Sequence, residues 1–188
     1  GCYTPRDVVF EGVGVTQGFA RYLSQSGLLC DTVASTDVGG LERARAYAEV
    51  MGCGLAALSK QRDYSQPGTV TATTVIGDVR GRSVLVVDDI IDTAGSVCSA
   101  VRTLWDEGAT DIVVAAVHVL LSDPGPERLA ALHAEATERG VSLRVVGTSS
   151  VGHPELPDWY QSWGLEPLLA QIIRSVNTRG SVRALENS

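Results

Sequence analysis

The sequence predicts an α/β protein in three layers, a mostly parallel sheet with helices on both faces. Three observations predict it. Apolar strand candidates alternate with helical stretches of about 10 to 15 residues, the pattern of βαβ units. The strands are aliphatic runs without polar alternation, so both faces of the sheet must be covered. The third is the stretch SVLVVDDIIDTAGSVCSAV, residues 83–101. There an aliphatic run stops at two aspartates, and a small, hydroxyl-rich turn then opens a helix.

Taken in order, 1–30 is the least regular part, with one helix expected after Gly14. The elements then follow as strand 32–35, helix 41–51, strand 54–58, a polar loop SKQRDYSQPGT, and a Thr- and Val-rich strand 70–76. Strand 84–87, helix 96–107, strand 111–120, helix 126–139, strand 142–147 and helix 165–177 complete the chain. The 188 residues suit one domain with a full hydrophobic core. Neither repeats nor low-complexity segments interrupt them.

Composition narrows the function classes. Hydrophobic residues make up 44% and charged residues 20%, ordinary for a globular protein. A net charge of −7 argues against general nucleic-acid binding. It leaves room for anionic ligands held by backbone amides and a metal ion. No apolar run is long enough to span a bilayer, so no membrane partner is expected. The first residue is Gly rather than Met, which suggests processing. Cys2, Cys30, Cys53 and Cys98 form no C-x-x-C pair, which points to free thiols and a cytoplasmic location.

In open parallel sheets ligands bind beyond the carboxyl ends of the strands. Asp88 and Asp89 stand at such an end. Residues Asp92, Thr93, Ala94, Gly95 and Ser96 then offer consecutive amides, two hydroxyls and a helix N-terminus, which together suit an anion. The acids would repel a phosphate placed against them. They suit sugar hydroxyls or Mg²⁺ instead. A phosphorylated sugar fits both halves, with phosphate on the loop and hydroxyls on the acids. The plainer alternative is a strand end followed by an ordinary N-cap. In DVGG, Gly39 and Gly40 allow the backbone close to a diphosphate, and Asp37 is the candidate Mg²⁺ ligand; an ordinary capped turn is the alternative. Lys60 and Arg62 lie in the polar loop. As mobile cations they could neutralise charge during transfer, or simply be solvated. His118 and His133 are read as core or surface residues, the three tryptophans as packing or interface residues, and Cys98 as structural.

The segment VLVVDDIIDTAGS resembles the ribose-phosphate motif of the type I phosphoribosyltransferase fold. With the extra acid at Asp92 it resembles the ribose-phosphate pyrophosphokinase form of that motif. STDVGGLERARAYAEVMG is similar to the same family's pyrophosphate loop, and LSKQRDYSQPG to its flexible catalytic loop. HVLLSDPGPERL and GLEPLLAQIIRSVNTRGSV resemble its later motifs. Ser96 stands where the family usually has Thr, and Asp123 where it has Gly. The likeness covers about 31–183, and 1–30 poorly. It corresponds to the second of the family's two α/β halves.

The resemblance implies diphosphate transfer from ATP to ribose 5-phosphate or an analogue, with Mg²⁺. Lys60 and Arg62 would be catalytic, 88–89 and 92–96 would hold the sugar phosphate, and Asp37, Gly39 and Gly40 the pyrophosphate. The first half would supply the ATP site, so a second chain and an oligomer are expected. Two further readings stay open: a stand-alone phosphoribosyltransferase consuming phosphoribosyl diphosphate, and a non-catalytic regulatory relative.

Overall fold

The computed structural model describes residues 14–28, 30–62, 70–153, 155 and 157–182, with only the backbone of 60–62 and 70–72. Its elements are α1 (Thr16–Gln25), β1 (Thr32–Ser35), α2 (Leu41–Met51), β2 (Gly54–Arg62), β3 (Val70–Ile76) and β4 (Ser83–Ile91). They continue with α3 (Gly95–Asp106), β5 (Asp111–Val119), α4 (Gly125–Arg139), β6 (Ser142–Thr148), β7 (Tyr160–Trp163) and α5 (Glu166–Asn177).

The strands form one seven-stranded sheet in the order β3-β2-β1-β4-β5-β6-β7. Only the β2–β3 pair is antiparallel. The order reverses between β1 and β4, which pair through Thr32–Val84 to Ser35–Val87. Loops leaving their carboxyl ends therefore emerge side by side, at the position where open α/β sheets place ligands.

Aliphatic strands bury both faces, as expected. On one face Val84, Val86, Ile112, Val114 and Val145 pack with Val97, Val101 and Leu104 of α3 and Leu129 and Leu132 of α4. On the other, Val33, Leu85, Val87, Val113 and Val146 pack with Phe19 and Leu23 of α1 and Tyr47 of α2. The tryptophans do pack: Trp105 is buried, Trp163 stacks on Phe19 at 5.4 Å, and Trp159 on His133 at 5.3 Å.

The structure departs from the expected elements in three places. Strand β4, expected over 84–87, runs on through Asp88 and Asp89 to Ile91, its outer part paired with His118 and Val119 of β5. Strand β2 runs on to Arg62, so Lys60 and Arg62 lie on a strand and not in a loop; their backbones pair with Thr73 and Val70 of β3. Hairpin pairing, which needs no apolar side chains, extends the strand through polar sequence. The rest of the expected loop, 63–69, lies outside the described residues, as do 1–13 of the N-terminal segment. Strand β7 was not expected. It has four residues, and its YQSW sequence lacks an aliphatic run.

Gly77, between β3 and β4, is required by its conformation. Its φ is +116°, and an added Cβ would sit 2.7 Å from the Leu55 carbonyl oxygen and 2.9 Å from the Ala56 Cα. Both obstacles are backbone. Gly77→Ala is expected to cost at least about 2 kcal/mol, combining strain with overpacking. Urea unfolding checks this, and an unchanged midpoint would refute it.

Candidate active site

The site is built where β1 and β4 end. Strand β4 continues past its buried run of Val84 to Val87, so Asp88 and Asp89 emerge at the sheet's rim. Asp88 is mostly buried, with 16% of its side chain exposed, whereas Asp89 has 59% exposed. The Asp88 Oδ2 accepts a hydrogen bond from Thr36 Oγ1 at 2.9 Å, and Oδ1 accepts the Asp89 amide at 2.8 Å. Asp89 Oδ1 accepts the Ile90 amide at 2.9 Å.

Arg43 of α2 spans the pair. Its Nη1 lies 3.3 Å from Asp88 Oδ1 and its Nη2 lies 2.8 Å from Asp89 Oδ2. The two acids are thereby driven apart in proton affinity. Burial pushes the Asp88 carboxyl up, and the hydrogen bond to Asp89 adds to it. Burial opposes ionisation of Asp89 too, but the hydrogen bond from Asp88 and the charge of Arg43 outweigh it and hold Asp89 below the usual carboxylate range. Arg43 and Thr36 were not expected as site residues. A sequence signal exists for Arg43, an arginine one turn into the helix after paired glycines, but nothing in the sequence shows that it reaches the acids.

The turn 92–94 follows directly. Ala94 adopts a left-handed conformation, φ 58°, and turns the chain into α3. The first amide bond across α3 runs from Cys98 to the Ala94 carbonyl at 2.9 Å. The amides of Gly95, Ser96 and Val97 therefore precede the helix ladder and point out of its N-terminus. With Asp88 and 90–97 they line a cavity of about 150 Å³. Helix α4 backs this turn: Arg128 Nη1 donates to the Thr93 carbonyl at 2.9 Å, and Gly125 lies against the Asp92 carbonyl so closely that a Cβ would come within 2.6 Å of it. Of the expected sugar-phosphate residues, Asp88 and 92–96 thus line one small concavity, and Asp89 is not part of its lining.

The second expected loop sits on the neighbouring strand. Asp37 Oδ1 accepts the Gly40 amide at 2.9 Å and caps the short 3-10 turn Val38–Gly40 ahead of α2. The Ser35 hydroxyl donates to the Asp37 carbonyl at 2.6 Å. Among the described residues no cluster of three metal-ligating side chains occurs. The side chains of Lys60 and Arg62 lie outside the described residues; the β1–β2 pairing ends at Ser35–Ala57, and the backbone of 60–62 runs beyond it. Cys98, expected to be structural, is buried, and burial pushes its thiol up. His118 is exposed and its Nδ1 lies 2.9 Å from the Ser150 hydroxyl. No described helix is long and apolar enough to cross a membrane.

Comparison with known proteins agrees with this fold. Residues 16–136 match the model of the phosphoribosyl transferase domain. The chain is 37% identical over 176 residues to a ribose-phosphate pyrophosphokinase of Mycobacterium tuberculosis, covering 93% of this chain and 52% of that protein. It is 34% identical over 169 residues to the Helicobacter hepaticus protein of the same name, covering 89% and 51%. The chain spans about half the length of the curated relatives it matches. Among solved structures, the phosphoribosylpyrophosphate synthetase of Mycobacterium smegmatis matches with a TM-score of 0.73 and 30% identity, covering 88% of this chain and 51% of that one. An adenine phosphoribosyl transferase of Trypanosoma brucei shares the fold, with a TM-score of 0.51 at 16% identity over 77% of this chain and 71% of that one. With 16–136 being well over half of its 188 residues, the chain belongs to the phosphoribosyl transferase domain family.

Proposed function

We propose that this chain is the sugar-phosphate-holding half of a ribose-phosphate diphosphokinase. In that reaction the anomeric hydroxyl of ribose 5-phosphate, or an analogue, takes a diphosphoryl group from ATP and AMP leaves. The observation that carries this reading is Asp88 and the open amides of 95–97 lining one cavity, with Asp89 adjacent and joined to Asp88 through Arg43. The amides and the α3 dipole hold the 5-phosphate. The more exposed and more ionised Asp89 accepts ring hydroxyls, and Asp88, fixed by Thr36 and Arg43, orients it. The turn at 38–40 holds the diphosphate, with Lys60 and Arg62 meeting the charge that develops during transfer. Mg²⁺, held by Asp37 and substrate phosphates, would supply further charge neutralisation. A second chain with the ATP-binding half completes the site, and the assembly acts in the cytoplasm. About 37% identity to proteins of that name supports this choice over a transferase using phosphoribosyl diphosphate.

The double variant Asp89→Asn with Thr93→Val is expected to weaken ribose 5-phosphate binding at least tenfold. Hydrogen bonds to charged groups contribute about 1.5–3 kcal/mol each. Titration calorimetry with ribose 5-phosphate and Mg²⁺ reads this directly, and an unaltered affinity would remove the assignment. Base-dependent pyrophosphate release from phosphoribosyl diphosphate would select the stand-alone transferase instead.

A further inference from the structure

We propose that Cys30 and Cys53 form a reversible intramolecular disulfide that ties the foot of β1 to the foot of β2. Their sulfurs lie 3.4 Å apart in the reduced protein. Cys30 is two residues before β1 and Cys53 is the residue before β2. The backbone around both is fixed: Thr32 pairs with Gly54, the Gly54 amide donates to the Asp31 carbonyl at 2.8 Å, and the Cys53 amide donates to the Ala48 carbonyl at 3.1 Å. A disulfide needs the sulfurs at about 2.05 Å. The remaining gap is within reach of side-chain rotation and leaves the strands in place.

The site is selective. Both thiols are half-buried and pack against the α1–α2 side of the sheet, within reach of a small oxidant. Cys98 is buried in the opposite core, with its sulfur toward the Arg128 carbonyl. The sheet separates it from the pair. Burial pushes the Cys30 thiol up, and the adjacent Cys53 adds to it, so Cys30 stays protonated.

With hydrogen peroxide as oxidant, Cys53 Sγ attacks one peroxide oxygen and its proton passes to the departing hydroxide. An S–O bond forms, the O–O bond breaks and hydroxide leaves. Cys30 Sγ then attacks the sulfenic sulfur. The S–S bond forms, the S–O bond breaks, and the departing hydroxide takes the Cys30 proton. Two thiols and one peroxide give one disulfide and two waters. A thiol reductant reverses the bond.

The bond lies at the amino ends of the strands, the candidate site at their carboxyl ends. It therefore clamps the strands that carry the 37–40 turn and Lys60 and Arg62 without touching the ligand residues. It also closes a chain segment between residues 23 positions apart, which restricts the unfolded state.

The test treats the full chain with hydrogen peroxide, blocks remaining thiols and maps peptides by mass spectrometry before and after dithiothreitol. The expected result is a Cys30–Cys53 linked peptide, two hydrogens lighter than the reduced pair and lost on reduction. The melting temperature of the oxidised chain should rise by several degrees. Cys53→Ser should lose both effects, and the wild-type peptide map stands even where that variant folds poorly. Sulfinic acid at either cysteine without the cross-link, pairing of either to Cys2 or Cys98, or an unchanged melting temperature in the cross-linked chain would overturn the proposal.

Discussion

Given ATP, Mg²⁺ and ribose 5-phosphate, the purified 188-residue chain is expected to release no AMP above background, and a reconstituted pair with the complementary half is expected to turn over. Diphosphoryl transfer requires two substrates held in line. Misplacement by about 1 Å can cost a hundredfold in rate, and correct alignment contributes about 7–11 kcal/mol to lowering the barrier. On the proposed reading the site addresses one substrate: acids for its hydroxyls, open amides for its phosphate, and a turn for the transferred group. Its rim is also apolar. Val38 beside the diphosphate turn and Ile90 between the acids and the anion loop are 57% and 45% exposed. On α5, Leu169, Ile173 and Val176 follow helical spacing and are similarly exposed, offering an apolar stripe for assembly. Turnover by the 188-residue chain alone would show that the complementary half is dispensable, and would end the split-enzyme reading.

Much of the site was legible because one strand was legible. The run VLVV fixes where β4 is buried, and Asp88 and Asp89 then mark its rim without any tertiary information. The small residues at 93–96 announce the following helix start in the same local way. Arg43 was not legible, because its role depends on α2 lying across the ends of β1 and β4, a contact between residues 45 positions apart. Thr36 was missed for the same reason. The missed strand β7 and the underestimated length of β2 share a cause. Strand β7 and the outer part of β2 are held by hydrogen-bonded pairing at or near the sheet edges, where side chains need not be apolar, so periodicity carries no signal. The helices were legible to within a residue or two, since each carries an apolar face onto one of the two cores.

Lys60→Ala and Arg62→Ala are each expected to lower kcat of the reconstituted enzyme by about a hundredfold or more, with a much smaller change in ribose 5-phosphate affinity. Removal of one preorganised donor aimed at developing charge costs about 10²–10³ in kcat elsewhere. The backbone supports such a role in a specific way. Residues 60 and 62 sit at the far end of an antiparallel hairpin whose partner strand β3 is the edge of the sheet. A register irregularity lies between Gln61 and Arg62. Among the described residues β2 pairs with β1 only over Gly54–Ala57, whereas Leu58–Arg62 pair with β3. The outer hairpin is therefore the part of the sheet best able to approach and leave a ligand held by β1 and β4. Groups carried on such an element act most strongly when the site closes, which places their effect in the transition state rather than in ground-state binding. The check is a paired measurement: kcat from AMP release, and Kd for ribose 5-phosphate from calorimetry. Equal losses in both would reassign Lys60 and Arg62 as ordinary substrate-binding residues, and unchanged turnover would remove them from the site.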